Sequence, residues 1–166
     1  MSNLICRLSD YGAYHRDARN VAAHMLGIPL IVFAVEVLLS RPVFIFGEVP
    51  LTPAMLASVL AALYYFTLDT GFGAALTVFM ALAAWAGLAL GSLPTAEWLA
   101  TGAGSFVIGW IIQFIGHAFE GRKPAFFDDL ISLMIGPLFI TAEFGFLFGL
   151  RRPLQTAIER QRSASL

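Results

Sequence analysis

VAAHMLGIPLIVFAVEVLLS, residues 21–40, is an apolar run that only His24 near its start and Glu36 near its end interrupt. A hydrocarbon core of about 30 Å takes ~20 helical residues to cross, and a chain in lipid must satisfy its backbone polar groups internally. The run therefore reads as a membrane-spanning helix, with Asn20 as its N-cap. Four further apolar segments follow. Residues 51–68 carry no charge and are joined through Asp69-Thr70-Gly71 to residues 72–90, the pattern of a helical hairpin. Residues 98–115 contain Gln113 and deliver His117 at their exit. Residues 130–150 are interrupted by Gly136-Pro137 and carry Glu143. The expected architecture is all-α: a multi-pass transmembrane bundle of four full spans plus a fifth segment that its proline breaks and lets re-enter. Residues 1–166 are expected to form a single integral membrane domain.

Composition agrees with lipid as the solvent. Of 166 residues, 58% are hydrophobic and 13% charged, and the mean hydropathy is +0.79, which a water-exposed surface does not tolerate. Fifteen Phe and fifteen Gly suit packed membrane helices, where aromatics face lipid and small residues let backbones approach. A net charge of -1 argues against nucleic acid as a partner, because phosphate binding needs a clustered basic excess. Cys6 is the single cysteine, so neither an intrachain disulfide nor a thiolate cluster is available. Residues 1–19 carry Arg7, Asp10, Arg16, Asp17 and Arg19 with no apolar core of a signal peptide, and the first span is expected to direct insertion.

The ten basic residues, Arg41 apart, gather in three places: Arg7, Arg16 and Arg19; Arg122 and Lys123; and Arg151, Arg152, Arg160 and Arg162. By the positive-inside rule the first two groups face the cytoplasm, which four intervening spans satisfy. A fifth segment that turns back at Gly136-Pro137 would keep the last group inside as well. In a bacterium this is an inner-membrane protein.

On that topology His15, His24 and His117 all reach the cytoplasmic boundary. On one continuous helix His15 and His24 would point about 180° apart, so a chain break at Asn20 is needed to fold His15 back over the first turn of the span. Glu120, three residues beyond His117, shares its helix face, as does Gln113. Ionisable groups at membrane depth are functional candidates because burying them is costly. Three imidazoles and a carboxylate suit Fe, Zn, Cu or Ni. Their ordinary alternative is a set of interfacial histidines with satisfied hydrogen bonds. Glu36 and Glu143 read as glutamates bonded to a neighbouring helix or reaching the interface, and Asp128-Asp129 as a helix N-cap.

A family resemblance rests on separated motifs in order: Tyr14-His15 followed by Asn20; His24 with Gly27-Ile28-Pro29; Gly109-Trp110-Ile111; Gln113-Phe114-Ile115-Gly116-His117; Phe119-Glu120; and Lys123-Pro124-Ala125. With Gly136-Pro137-Leu138-Phe139 and Glu143, the chain resembles the membrane family of 2-hydroxy fatty acid dioxygenases, whose fungal members act in phytosphingosine breakdown. The resemblance implies an Fe(II) enzyme that shortens a long-chain 2-hydroxy fatty acid by one carbon, C1 leaving as CO2, with O2 as co-substrate. His15, His24 and His117 would be the metal ligands, with Glu120 or Asp17 beside them. Arg16, Arg19, Arg122 or Lys123 would position the substrate carboxylate while the acyl chain occupies an apolar tunnel among the helices. No Gly-rich nucleotide loop marks another cofactor. Two other readings use the same residues. A zinc-dependent membrane hydrolase would take Glu120 as its base, and a small lipid-binding or transport protein would line a polar path with Glu36, Gln113 and Glu143.

Overall fold

The computed structural model describes residues 3–121 and 131–164. Seven helices make up almost all of it: α1 Asn3–Ala13, α2 Ala18–Leu39, α3 Pro53–Leu68, α4 Thr70–Gly91, α5 Thr95–Glu120, α6 Ile131–Leu147 and α7 Arg152–Ala164. Between α2 and α3 lies an antiparallel hairpin of β1 Phe44–Phe46 and β2 Val49–Leu51, paired Phe44 to Leu51 and Phe46 to Val49. Gly47, with φ of 66°, takes the first central position of its two-residue turn, where a type II′ turn requires positive φ.

α2, α4 and α5 are long and apolar enough to cross a membrane, and the α6–α7 pair, bent by 119°, makes four if it counts as one span. The expected span over 51–68 is shorter than its composition suggests, because β2 takes Leu51 and Thr52 caps the helix, accepting from Met55 N–H at 3.2 Å. α3 retains 16 residues, ~24 Å of helix at ~1.5 Å per residue. The break expected at Gly136-Pro137 is absent: Pro137 is carried inside α6, as Pro29 is inside α2. Proline removes one donor, but in apolar surroundings opening the helix would strand further backbone groups without water. The chain turns instead after α6, at Gly149 with φ of 71° and Arg151 with φ of 53°.

The chain forms two compact units, Met1–Met25 with Ile112–Leu166, and Leu26–Ile111. In the first, α1 is amphipathic: Leu4, Leu8, Tyr11 and Gly12 are buried along one face, which packs against α6 and α7. α6 supplies Ile135, Leu138, Phe139 and Ile140 to the same core, and α7 supplies Ile158.

The second unit is built on the α3–α4 hairpin. Asp69 closes it, its N–H returning to Tyr65 and its Oδ1 accepting from Gly71 and Phe72 N–H at 2.9 and 3.0 Å. Backbones approach closely through glycine: a Cβ on Gly87 would lie 2.9 Å from the Glu36 carbonyl, and one on Gly109 3.2 Å from that of Gly27. Glu36 is buried and accepts from Ser58 Oγ at 2.6 Å, the neighbouring-helix bond its sequence position suggests. Outward, Leu63 and Leu82 are each 60% exposed and Trp85 72%, an apolar surface far beyond what water tolerates.

Candidate metal centre

The site begins where α1 stops. Tyr14 and His15 N–H turn back to the carbonyls of Tyr11 and Gly12, at 3.1 and 3.3 Å. α2 then starts under Asp17, whose Oδ1 accepts from Arg19 N–H at 2.8 Å while its carbonyl takes Val21 N–H. The Arg19 guanidinium grips the same carboxylate at 3.1 and 2.8 Å, and these bonds hold it down at about 2. The break is thus at 14–17 and the cap is Asp17, not Asn20. A carboxylate facing the positive end of the helix is the stronger cap. Asn20, already inside α2, has other tasks: its carbonyl meets His24 Nδ1 at 2.9 Å and its Nδ2 donates to Glu120.

That shorter connection brings the histidines together. His15, His24 and His117 are all buried, and each offers a nitrogen within 4.8 Å of the others. His15 also stacks on Tyr11, rings 4.3 Å apart and 9° from parallel, and touches Phe139 of α6 at 5.8 Å. His117 enters from the end of α5, where Gly116 lets α5 lie against the start of α2: a Cβ there would come within 2.6 Å of Asn20 Oδ1.

The hydrogen bonds define what this cluster can do. His15 Nδ1 lies 2.7 Å from the Tyr11 carbonyl and His24 Nδ1 2.9 Å from that of Asn20. A carbonyl only accepts, so both Nδ1 atoms carry the proton and both Nε2 atoms present lone pairs. Those two Nε2 atoms face each other at 3.1 Å. A proton between them would make one imidazole cationic, yet burial pushes His15 down to about 4. His117 Nδ1 is buried without a hydrogen-bond partner, a deficit of ~1–3 kcal/mol. Lone pairs aimed at one another, with an unpartnered imidazole nitrogen beside them, fit a cation. Two nitrogens on one metal at ~2.1 Å sit about 3.0–3.4 Å apart, which matches the observed 3.1 Å. Backbone carbonyls that fix the tautomer are the usual outer support of metal-binding histidines.

Glu120 does not join the trio. Its carboxylate accepts from Arg16 N–H at 3.1 and 3.0 Å, Asp17 N–H at 2.9 Å and Asn20 Nδ2 at 3.1 Å, clipping the end of α5 to the α1–α2 junction. Arg16 is exposed. Arg19 is committed to Asp17 and lies over the Phe119 ring at 4.4 Å. Arg122 and Lys123 fall outside the described residues, as do Asp128-Asp129. Gln113 is buried with Oε1 unpartnered. Sequence reading missed Tyr11 and Phe139, the rings around His15; Tyr11, four residues before His15 on a buried helix face, was the available signal.

A helical chain rich in apolar spans, with three buried imidazoles converging from the α1–α2 junction, α2 and α5, has the makings of a membrane metalloenzyme. The comparison with known families is decisive on kinship: residues 1–147 match the model described as 2-hydroxy-palmitic acid dioxygenase Mpo1-like, and the chain belongs to that family. The 2-hydroxy-palmitic acid dioxygenase MPO1 of Saccharomyces cerevisiae is 35% identical over 159 residues, covering 95% of this chain and 88% of that protein. No solved structure matches. The resemblance carried by the histidine motifs is therefore borne out, and the chain is a member of an enzyme family named for dioxygenases.

Proposed function

We propose that the chain is an Fe(II)-dependent dioxygenase that shortens a long-chain 2-hydroxy fatty acid by one carbon. The balance is R–CHOH–COOH + O2 → R–COOH + CO2 + H2O: the C1–C2 bond breaks, the substrate gives up four electrons and O2 takes them. No further reductant enters. The observation that carries the reading is the facing pair of Nε2 lone pairs on His15 and His24, 3.1 Å apart, with each Nδ1 against a backbone carbonyl. Kinship with a 2-hydroxy-palmitic acid dioxygenase supplies the substrate class.

Iron held by His15, His24 and His117 would supply open positions for O2 and for the two oxygens of a 2-hydroxy carboxylate. The protein's part is orientation. The Tyr11 and Asn20 carbonyls fix two tautomers, and Glu120 holds the α5 end that carries His117 against the junction that carries His15. Tyr11 and Phe139 pack against His15 and keep water from that side. Arg16, Arg19, Arg122 and Lys123 offer positive charge that draws the acid toward this end of the helices, and each methylene buried among the helices contributes ~0.8 kcal/mol to holding the chain. A hydrolase would need Glu120 free to take a proton from water, whereas its oxygens already accept from three donor groups.

In this reading α2, α3, α4 and α5 each cross the membrane, the short α3 by local thinning of the bilayer, and α6–α7 forms a bent fifth segment. The N-terminus and the 120–124 loop then face the cytoplasm together with the metal centre. Anaerobically purified protein loaded with Fe(II) and given a long-chain 2-hydroxy acid with O2 should yield the acid one carbon shorter and one CO2 per O2 consumed. Equal product from metal-free protein, or none from iron-loaded protein, sinks the proposal.

A further inference from the structure

We propose that Arg162, on α7, is the group that binds the carboxylate of the 2-hydroxy acid at the histidine cluster. The inference rests on the oxygenase reading above and adds to it a residue that lies beyond the family-matched stretch 1–147.

The guanidinium is seated rather than trailing in solvent. It lies on the backbone of α1 at Gly12: a Cβ there would coincide with its Nη2 and Cζ atoms, so only glycine leaves it room. Gly12 stands one turn before His15. Arg162 Cζ is 5.9 Å from the Phe139 ring, and the same ring contacts His15 at 5.8 Å and Tyr11 at 5.0 Å. One aromatic ring therefore touches both the cation and a candidate ligand.

Among the described residues the cation also lacks a partner of its own. Its Nε is buried without a hydrogen bond, and none of the described carboxylates pairs with it. Glu143 and Glu159 lie close enough for their fields to reach it, as does the cationic Arg16, but none bonds to it. A half-buried guanidinium without a counterion is costly to keep, and its planar fork is shaped for two carboxylate oxygens. Arg19 has spent its fork on Asp17. Arg162 has not. An acid whose carboxylate rests on Arg162 would keep its 2-hydroxyl and the carboxylate lone pairs that the guanidinium does not take turned toward the imidazoles, with C1 and C2 between the two holds.

The test uses iron-loaded protein in detergent, with 2-hydroxyhexadecanoate as the acid and hexadecane-1,2-diol as an uncharged analogue of equal chain length. Arg162→Gln should raise the Kd and KM for the acid at least tenfold while diol binding and iron content stay at the wild-type level. Arg162→Lys should recover part of the loss. Gly12→Ala, which keeps the charge but evicts the guanidinium, should weaken acid binding in the same direction. Wild-type acid affinity in Arg162→Gln overturns the assignment of Arg162 and leaves the oxygenase reading standing. Loss of iron or of diol binding in that variant overturns it too, since the residue is then structural. If the wild-type protein neither binds nor turns over the acid, both readings fall.

Discussion

The two units differ in how the polar bonds at their helix ends are supplied. In Leu26–Ile111 the ends of α3 and the start of α4 are held locally, Thr52 capping α3 for Met55 and Asp69 ending α3 and starting α4, beside bonds between helices such as Ser58 to Glu36. In the unit that holds the histidines, partners come from far along the chain, Glu120 to Arg16 and Asp17 and Ser9 to the Ile158 carbonyl. Local devices make a rigid scaffold that tolerates change. Long-range polar bonds hold a constellation whose parts lose their places together. The difference predicts where substitution damages chemistry and where it damages only stability.

The contrast is sharpest at the imidazoles. His15→Ala, His24→Ala or His117→Ala should each abolish iron binding and cut turnover well beyond the ~10–100-fold typical of an outer-support residue. Iron analysis beside turnover checks it, and full iron occupancy in any one folded variant removes that histidine from the site. Glu120→Ala comes next. It frees three donor groups, and at a partly exposed position the cost is about 3 kcal/mol. Iron affinity should fall ~10–100-fold as the hold between α5 and the junction loosens. A drop in thermal stability with unchanged iron affinity would show that the clip does not support the site.

Acid should separate the units as well. The ordinary histidine value is 6.5, and folding lowers His15 to about 4. Between those limits the unfolded chain binds more protons, so metal-free protein loses stability as pH falls from about 6.5 toward 4, by about 3 kcal/mol from this group. Denaturant unfolding in detergent at pH 7 and pH 4.5 measures the change, and His15→Gln should make it smaller. An equal slope in that variant would assign the loss elsewhere. The smallest effect belongs to the scaffold: Thr52→Ala should cost ~1 kcal/mol through the lost cap, with iron content and turnover unchanged. A parallel loss of activity would erase the distinction between the units.

What could be read in the sequence follows the same division. The apolar runs, the α3–α4 hairpin at Asp69 and the gathering of three histidines depend on composition and short spacing, and they were legible. The cap was misplaced by three residues because Asp17 and Asn20 are both good caps, and the choice falls to Asp17 through its charge and through the demands of His24 and Glu120 on Asn20. Pro137 looks like a break when backbone geometry is judged alone; apolar surroundings reverse that judgement. Glu120 has the correct helical phase to face His117, yet its partners lie a hundred residues earlier in the chain. Arg162 reads as one more charge of a basic tail, since nothing near it in sequence reveals the seat at Gly12.

The separation of the three histidines along the chain also has a consequence for biogenesis. His24 leaves the ribosome 93 residues before His117 (117 − 24), a gap of roughly 5–20 s at ordinary elongation rates. Until that gap closes the nascent chain offers two imidazoles without the third, and a two-nitrogen site prefers copper or zinc over ferrous iron. On the iron reading proposed above, the cell that makes this protein would either keep those ions scarce at the translocating membrane or deliver iron only once α5 is complete.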